Sequence, residues 1–146
     1  MVENAKPVRL QLSRRKGFNL QVLSRATNGL EAVNVARPSM WGNPFVIGQP
    51  SGIFAEGQGL RGKAEVLIPA LTRDQVVEFY ETVLSGCLSP EMYPAGHNWL
   101  DNFHHRYRGF SPTEAARSYL RGRNLACRCE LNELCHADAL LRIANG

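Results

Sequence analysis

Residues 124–145 read "NLACRCELNELCHADALLRIAN". The first part has the alternation of a short strand, with Leu125, Cys127 and Cys129 on one face. A tight loop follows. "CHADALLRIAN" then reads as a helix with Leu140, Leu141 and Ala144 towards the core. Strand, loop and helix in that order make half of a βαβ unit, so this stretch points to a parallel α/β sheet.

The rest of the chain supplies partners for that half unit. "VRLQLS" (8–13) alternates Val8, Leu10 and Leu12 against Arg9, Gln11 and Ser13, the pattern of a half-buried strand. "RRKG" then turns the chain. "AVNVAR" (32–37) is a second strand, with Val33 and Val35 on one face. It runs into "PSMWGNPF", where Pro38, Gly42 and Pro44 forbid regular structure. The glycine-rich segment 48–63 reads as a loop, and "AEVLIP" as a short strand or a lead-in.

Thr72 and Gln75 form a capping box ahead of Val76, Val77, Phe79, Tyr80, Val83 and Leu84 at helical spacing, and Gly86 stops that helix. Cys87 is expected in the core at its end. Residues 88–110 are aromatic- and histidine-rich and read as an irregular insertion with a helical turn or two in its middle. Ser111-Pro112-Thr113-Glu114 opens another helix, whose apolar stripe is Ala115, Ala116, Tyr119 and Leu120, and Gly122 ends it. The expected fold is a small α/β domain spanning 1–146, with a Rossmann-like sheet and helices packed on it.

Composition narrows the class. The chain has 146 residues, 44% of them hydrophobic and 21% charged, with a net charge of +4. That is enough to bury a core without disulfides. The mild positive balance favours anionic partners. The basic residues cluster at Arg9, Arg14, Arg15 and Lys16 and again at Arg106 and Arg108. No apolar run approaches the ~18 residues of a membrane span, and "MVENAKPVRL" has no signal-peptide core. A cytoplasmic protein with no membrane partner is expected, and there thiols stay reduced or metal-bound.

Two segments carry chemistry. In "RPSMWGN" (37–43), Arg37 offers a planar fork for phosphate or carboxylate and Ser39 a hydroxyl. Trp41 offers a flat face, Gly42 allows close backbone approach, and Asn43 can bond a base or ribose edge. The plainer reading is a sharp corner in which Trp41 and Phe45 plug the core. The second segment holds three of the chain's four cysteines. Cys127, Cys129, Cys135 and His136 make a three-thiolate, one-imidazole set suited to zinc. Alternatively, Cys135 as nucleophile, His136 as base and Asp138 as orienting group form a catalytic or ligand-binding set at a helix start. Buried packing of small residues is the third reading.

"VARPSMWGNPF" followed by "LRGRNLACRCELNELCHADALLRIAN" resembles an uncharacterised family of bacterial and phage proteins, domain of unknown function 4326. Its members show R-P-S-x-W-G-N-P-F, then L-R-G-K-x-L-A-C-W-C and C-H-A-D-x-L. The resemblance runs from about Arg9 to Asn145. Arg128 stands where the family usually has Trp, and Met40 where Lys or Arg is common. The family carries no established activity, so the resemblance strengthens the site more than any function.

The expected function is therefore binding of a nucleotide-like or nucleic-acid-derived anion between "RPSMWGN" and "CRCELNELCH", with or without nucleotide-modifying catalysis. The alternative is a zinc-stabilised, non-catalytic module that binds nucleic acid or a host protein. The segment "HNWLDNFHHRYRGF" (97–110) interleaves aromatics with cations. Such a pattern can stack on single strands, or can pack its rings inward.

Overall fold

The computed structural model describes residues 5–54 and 65–146. Their contacts group into two compact units, Met1–Gly42 with Thr113–Gly146, and Asn43–Pro112.

The first unit is built on a three-stranded parallel sheet. β1 (Arg9–Gln11), β2 (Ala32–Asn34) and β5 (Asn124–Cys127) lie in the order β1-β5-β2. Central β5 is buried at all four residues. Arg9 pairs with Leu125, Gln11 with Cys127, and Val33 with Leu125. Alternation then sends Asn124 and Ala126 to one face and Leu125 and Cys127 to the other. α1 (Leu20–Asn28) covers the first face, where Leu20 packs against Leu10, Ala32 and Ala126. α5 (His136–Asn145) packs on β5 and β1. α4 (Pro112–Leu120) leads into β5, with Ala115, Ala116 and Leu120 buried.

The second unit contains β3 (Ser51–Phe54) and β4 (Glu65–Ile68), an antiparallel pair. It also holds α2 (Arg73–Leu84), a 3-10 turn at Pro90–Met92 and α3 (Ala95–Arg106). The Thr72/Gln75 capping box forms as expected: Gln75 N–H donates to Thr72 Oγ1, and Thr72 N–H to Gln75 Oε1. The core of this unit is aromatic. Phe45 meets Phe79 edge-on at 5.3 Å, Tyr80 meets Trp99 at 5.8 Å, and Trp99 stacks on Phe103 at 5.2 Å.

An α/β fold is thus present, with five α-helices and these two small sheets among the described residues. Three parallel strands do not by themselves define a Rossmann arrangement.

Several local expectations are corrected. "NLQVLSRATNG" (19–29) forms α1, capped by Asn19, which accepts from Val22 N–H, and closed by Gly29 at φ 80°. Part of the expected loop 48–63 is strand β3, while 55–63 lie outside the described residues. Gly52 permits β3 there, since a Cβ would sit 2.7 Å from Leu67 Cβ. Residues 95–106 form a full helix that buries Trp99 and Phe103, so those rings are core. Cys87 is exposed, just past Gly86 at φ 86°. Tyr119 is 45% exposed and does not share the stripe of α4.

Candidate functional site

The carboxyl ends of the three parallel strands carry the chemistry. β5 delivers Cys127, and a short loop brings Cys129 back beside it, with the two sulfurs 3.9 Å apart. Cys135 is the N-cap of α5, and its sulfur accepts from Ala137 N–H at 3.5 Å. The three sulfurs lie within 4.8 Å of one another. Cys127 and Cys135 are buried, and Cys129 is half-buried.

His136 stands beside two of these sulfurs. Its Nε2 lies 2.8 Å from Val35 C=O. A carbonyl only accepts, so Nε2 carries the proton, and in the neutral ring Nδ1 keeps its lone pair. Nδ1 sits 3.6 Å from Cys135 Sγ and 3.9 Å from Cys127 Sγ. The same bond ties the "CRCELNELCH" loop to the end of β2, where "RPSMWGN" begins. Val35 in turn donates its N–H to Ala126 C=O at 2.9 Å.

The cluster polarises its own thiols. Cys135 donates to Cys127 and lowers the Cys127 thiol to about 3; burial opposes this, while His136 and Cys129 N–H add to it. Cys135 is pushed up in turn, first by its bond with Cys127 and then by burial. The cluster therefore favours one thiolate without an external base.

Arg9 was no candidate from the sequence beyond its place in a basic cluster, yet it organises this loop. Its Nη2 donates to the main-chain carbonyls of Glu130 (3.3 Å), Leu131 (2.8 Å) and Glu133 (2.8 Å). Its Nε pairs with Asp138 Oδ1 at 3.3 Å, and its side chain is only 7% exposed. These residues span the loop between Cys129 and Cys135. Nη1 is buried without a hydrogen-bond partner. Asp138 thus pairs with Arg9, while His136 is oriented by Val35 C=O.

In the 37–43 segment the backbone folds back on itself. Ser39 N–H donates to Ala36 C=O and Gly42 N–H to Ser39 C=O, both at 2.9 Å. A Cβ on Gly42 would lie 2.8 Å from Arg37 Cα, so only glycine closes this corner. Arg37 is exposed, and Trp41 is 5% exposed. Ser39 Oγ is buried without a hydrogen-bond partner. Asn43 is buried; its Nδ2 donates to Val76 C=O and its Oδ1 accepts from Phe45 N–H, both at 2.9 Å. Of Arg37, Ser39, Trp41, Gly42 and Asn43, only Arg37 is exposed.

A cavity of about 520 Å³ opens at the same carboxyl edge, lined by Gln11, Leu12, Ser13, Arg15, Lys16, Gly17, Phe18 and Leu23. It lies at the end of β1 and the start of α1, and no residue of 37–43 lines it. Among the described residues no helix is long and apolar enough to cross a membrane.

A family model described as Domain of unknown function (DUF4326) matches residues 19–146. The match begins after Arg9. No curated protein and no solved structure matches the chain.

Proposed function

The chain belongs to this family of unknown function, and on that premise we propose that it is a zinc-stabilised, non-catalytic binding module whose ion is ligated by Cys127, Cys129, Cys135 and His136. The observation that carries this reading is the placement of His136. With Nε2 on Val35 C=O, Nδ1 faces two sulfurs, at 3.6 and 3.9 Å. Metal-ligating histidines are held in the same way, by a carbonyl or carboxylate on the far nitrogen.

The spacings agree. Zinc with Zn–S of about 2.3 Å and Zn–N of about 2.0 Å, in a tetrahedron, separates two sulfurs by about 3.8 Å and a sulfur from the nitrogen by about 3.5 Å. The pairs here are 3.9 Å for Cys127–Cys129, and 3.9 and 3.6 Å for the two sulfur–nitrogen contacts. N–H groups of Cys129 and Ala137 already point at cluster sulfurs. Four protein ligands leave no open position for substrate, which favours a structural ion over a catalytic one. A Cys135–His136–Asp138 catalytic set has less support, because Asp138 is engaged by Arg9 and the Nε2 proton by Val35.

Metal analysis of protein purified without chelator tests the reading. One zinc per chain is expected, and cobalt substitution should give a tetrahedral thiolate spectrum. Both should be lost in Cys127→Ser and in His136→Ala. Folded protein that takes up no zinc, with its clustered thiols open to alkylation, overturns it.

A further inference from the structure

We propose that the cavity between the end of β1 and the start of α1 binds an organic phosphate of nucleotide size, with Arg15 and Lys16 on the phosphate and Phe18 and Leu23 against the body of the ligand. The inference does not depend on the metal reading and uses none of the four cluster residues.

Position is the first support. Open parallel sheets place ligands in the crevice outside the carboxyl ends of their strands. This cavity lies at the carboxyl end of β1, where the chain leaves the sheet for α1. At about 520 Å³ it falls within the ~300–1,000 Å³ range of small-molecule sites.

The lining is the second support. It holds two adjacent cations, Arg15 and Lys16, and no carboxylate. Neither side chain has an ion-pair partner among the described residues. Neighbouring positive charges repel, and an anion between them removes that cost. A guanidinium fork takes two phosphate oxygens at once, and the ammonium adds a point charge. The turn that carries them is pre-formed: Arg15 N–H donates to Ser13 Oγ at 3.0 Å, and Phe18 N–H to Arg15 C=O at 3.1 Å. Gly17, at φ 85°, makes that turn possible.

The apolar lining is the third. Leu12, Phe18 and Leu23 occupy the same cavity, and Leu23 is 37% exposed. Inorganic phosphate would leave those side chains wet, whereas a base or similar ring covers them. Gln11 and Ser13 supply polar contacts to a sugar or base edge.

The test is calorimetric titration of the full chain with AMP, GMP, CMP and UMP, with inorganic phosphate and a short single-stranded oligonucleotide as competing probes. At least one mononucleotide should bind one-to-one and more tightly than inorganic phosphate. The Arg15→Gln/Lys16→Gln double variant should weaken it by roughly tenfold or more, the loss of charged hydrogen bonds. Both side chains are exposed, so the double variant should melt like the parent. Arg106→Gln, in the other unit, should bind like the parent. Three results overturn the proposal: no mononucleotide surpasses inorganic phosphate, binding survives the double variant, or the oligonucleotide binds where mononucleotides do not.

Discussion

Strand β5 carries polar side chains into the interior at both ends. At the amino end Asn124 is fully buried. Its Oδ1 accepts from Val8 N–H and from Asn28 Nδ2, both at 2.9 Å. Its Nδ2 donates to Ser24 Oγ at 2.8 Å and to Asn28 Oδ1 at 2.7 Å. Ser24 passes its own proton to Leu30 C=O at 2.6 Å. Every donor and acceptor of the Asn124 side chain is used within the protein. At the carboxyl end, on the opposite face, three sulfurs converge within 4.8 Å, with the His136 ring beside two of them. A polar network closed on itself serves the fold. The proposed zinc would use the sulfur cluster differently, as ligands rather than as a closed network.

The sharpest break in that comparison is removal of the metal. Zinc at about 1,000 times its dissociation constant stabilises by about 4 kcal/mol. Adding a chelator to zinc-loaded protein should therefore lower the melting temperature, and Cys127→Ser should already sit at the lowered value. If scanning calorimetry shows no change with chelator, the two ends are equally self-sufficient and the distinction fails.

Asn124→Ala attacks the other end. It leaves Val8 N–H, Ser24 Oγ and the Asn28 amide short of partners, at an expected loss of about 3 kcal/mol in urea titration. Zinc stoichiometry should stay at the parent value. A variant that loses both stability and metal would mean that the ends are not independent.

Arg9→Gln is the subtlest. Cys127, Cys129, Cys135 and His136 remain, but the loop that carries them loses its clamp. Zinc affinity should fall by about 10–100-fold, as when second-layer partners of metal ligands are lost. The cobalt spectrum should keep its shape. Competition against a chromophoric chelator reads the difference, and an unchanged affinity would mean that the loop holds itself.

The sequence exposes parts of this arrangement and hides others for physical reasons. The strand–loop–helix of 124–145, the box at Thr72 and Gln75, and the Cys/His cluster are local patterns, so neighbouring residues reveal them. α1 is hidden because Ser24 is its one fully buried residue. Its clearest local signal lies in the caps, Asn19 and Gly29. Arg9 is hidden more deeply. Its partners lie 121 to 124 residues away and are main-chain oxygens, which no residue pattern encodes. The register of Arg9 on Leu125 puts its guanidinium within reach of Asp138, and the sequence does not contain that register. Asn43 and Trp41 resemble ligand contacts in sequence because the residues that plug a corner are also good at binding bases.

The clamp has a consequence for variation. Arg9 grips the loop by its backbone and ignores the side chains that the loop carries. Leu131, 60% exposed, and Leu134, 44% exposed, are left at the surface. Exchanging Leu131 or Leu134 would change what the tip presents without touching the backbone bonds that Arg9 makes.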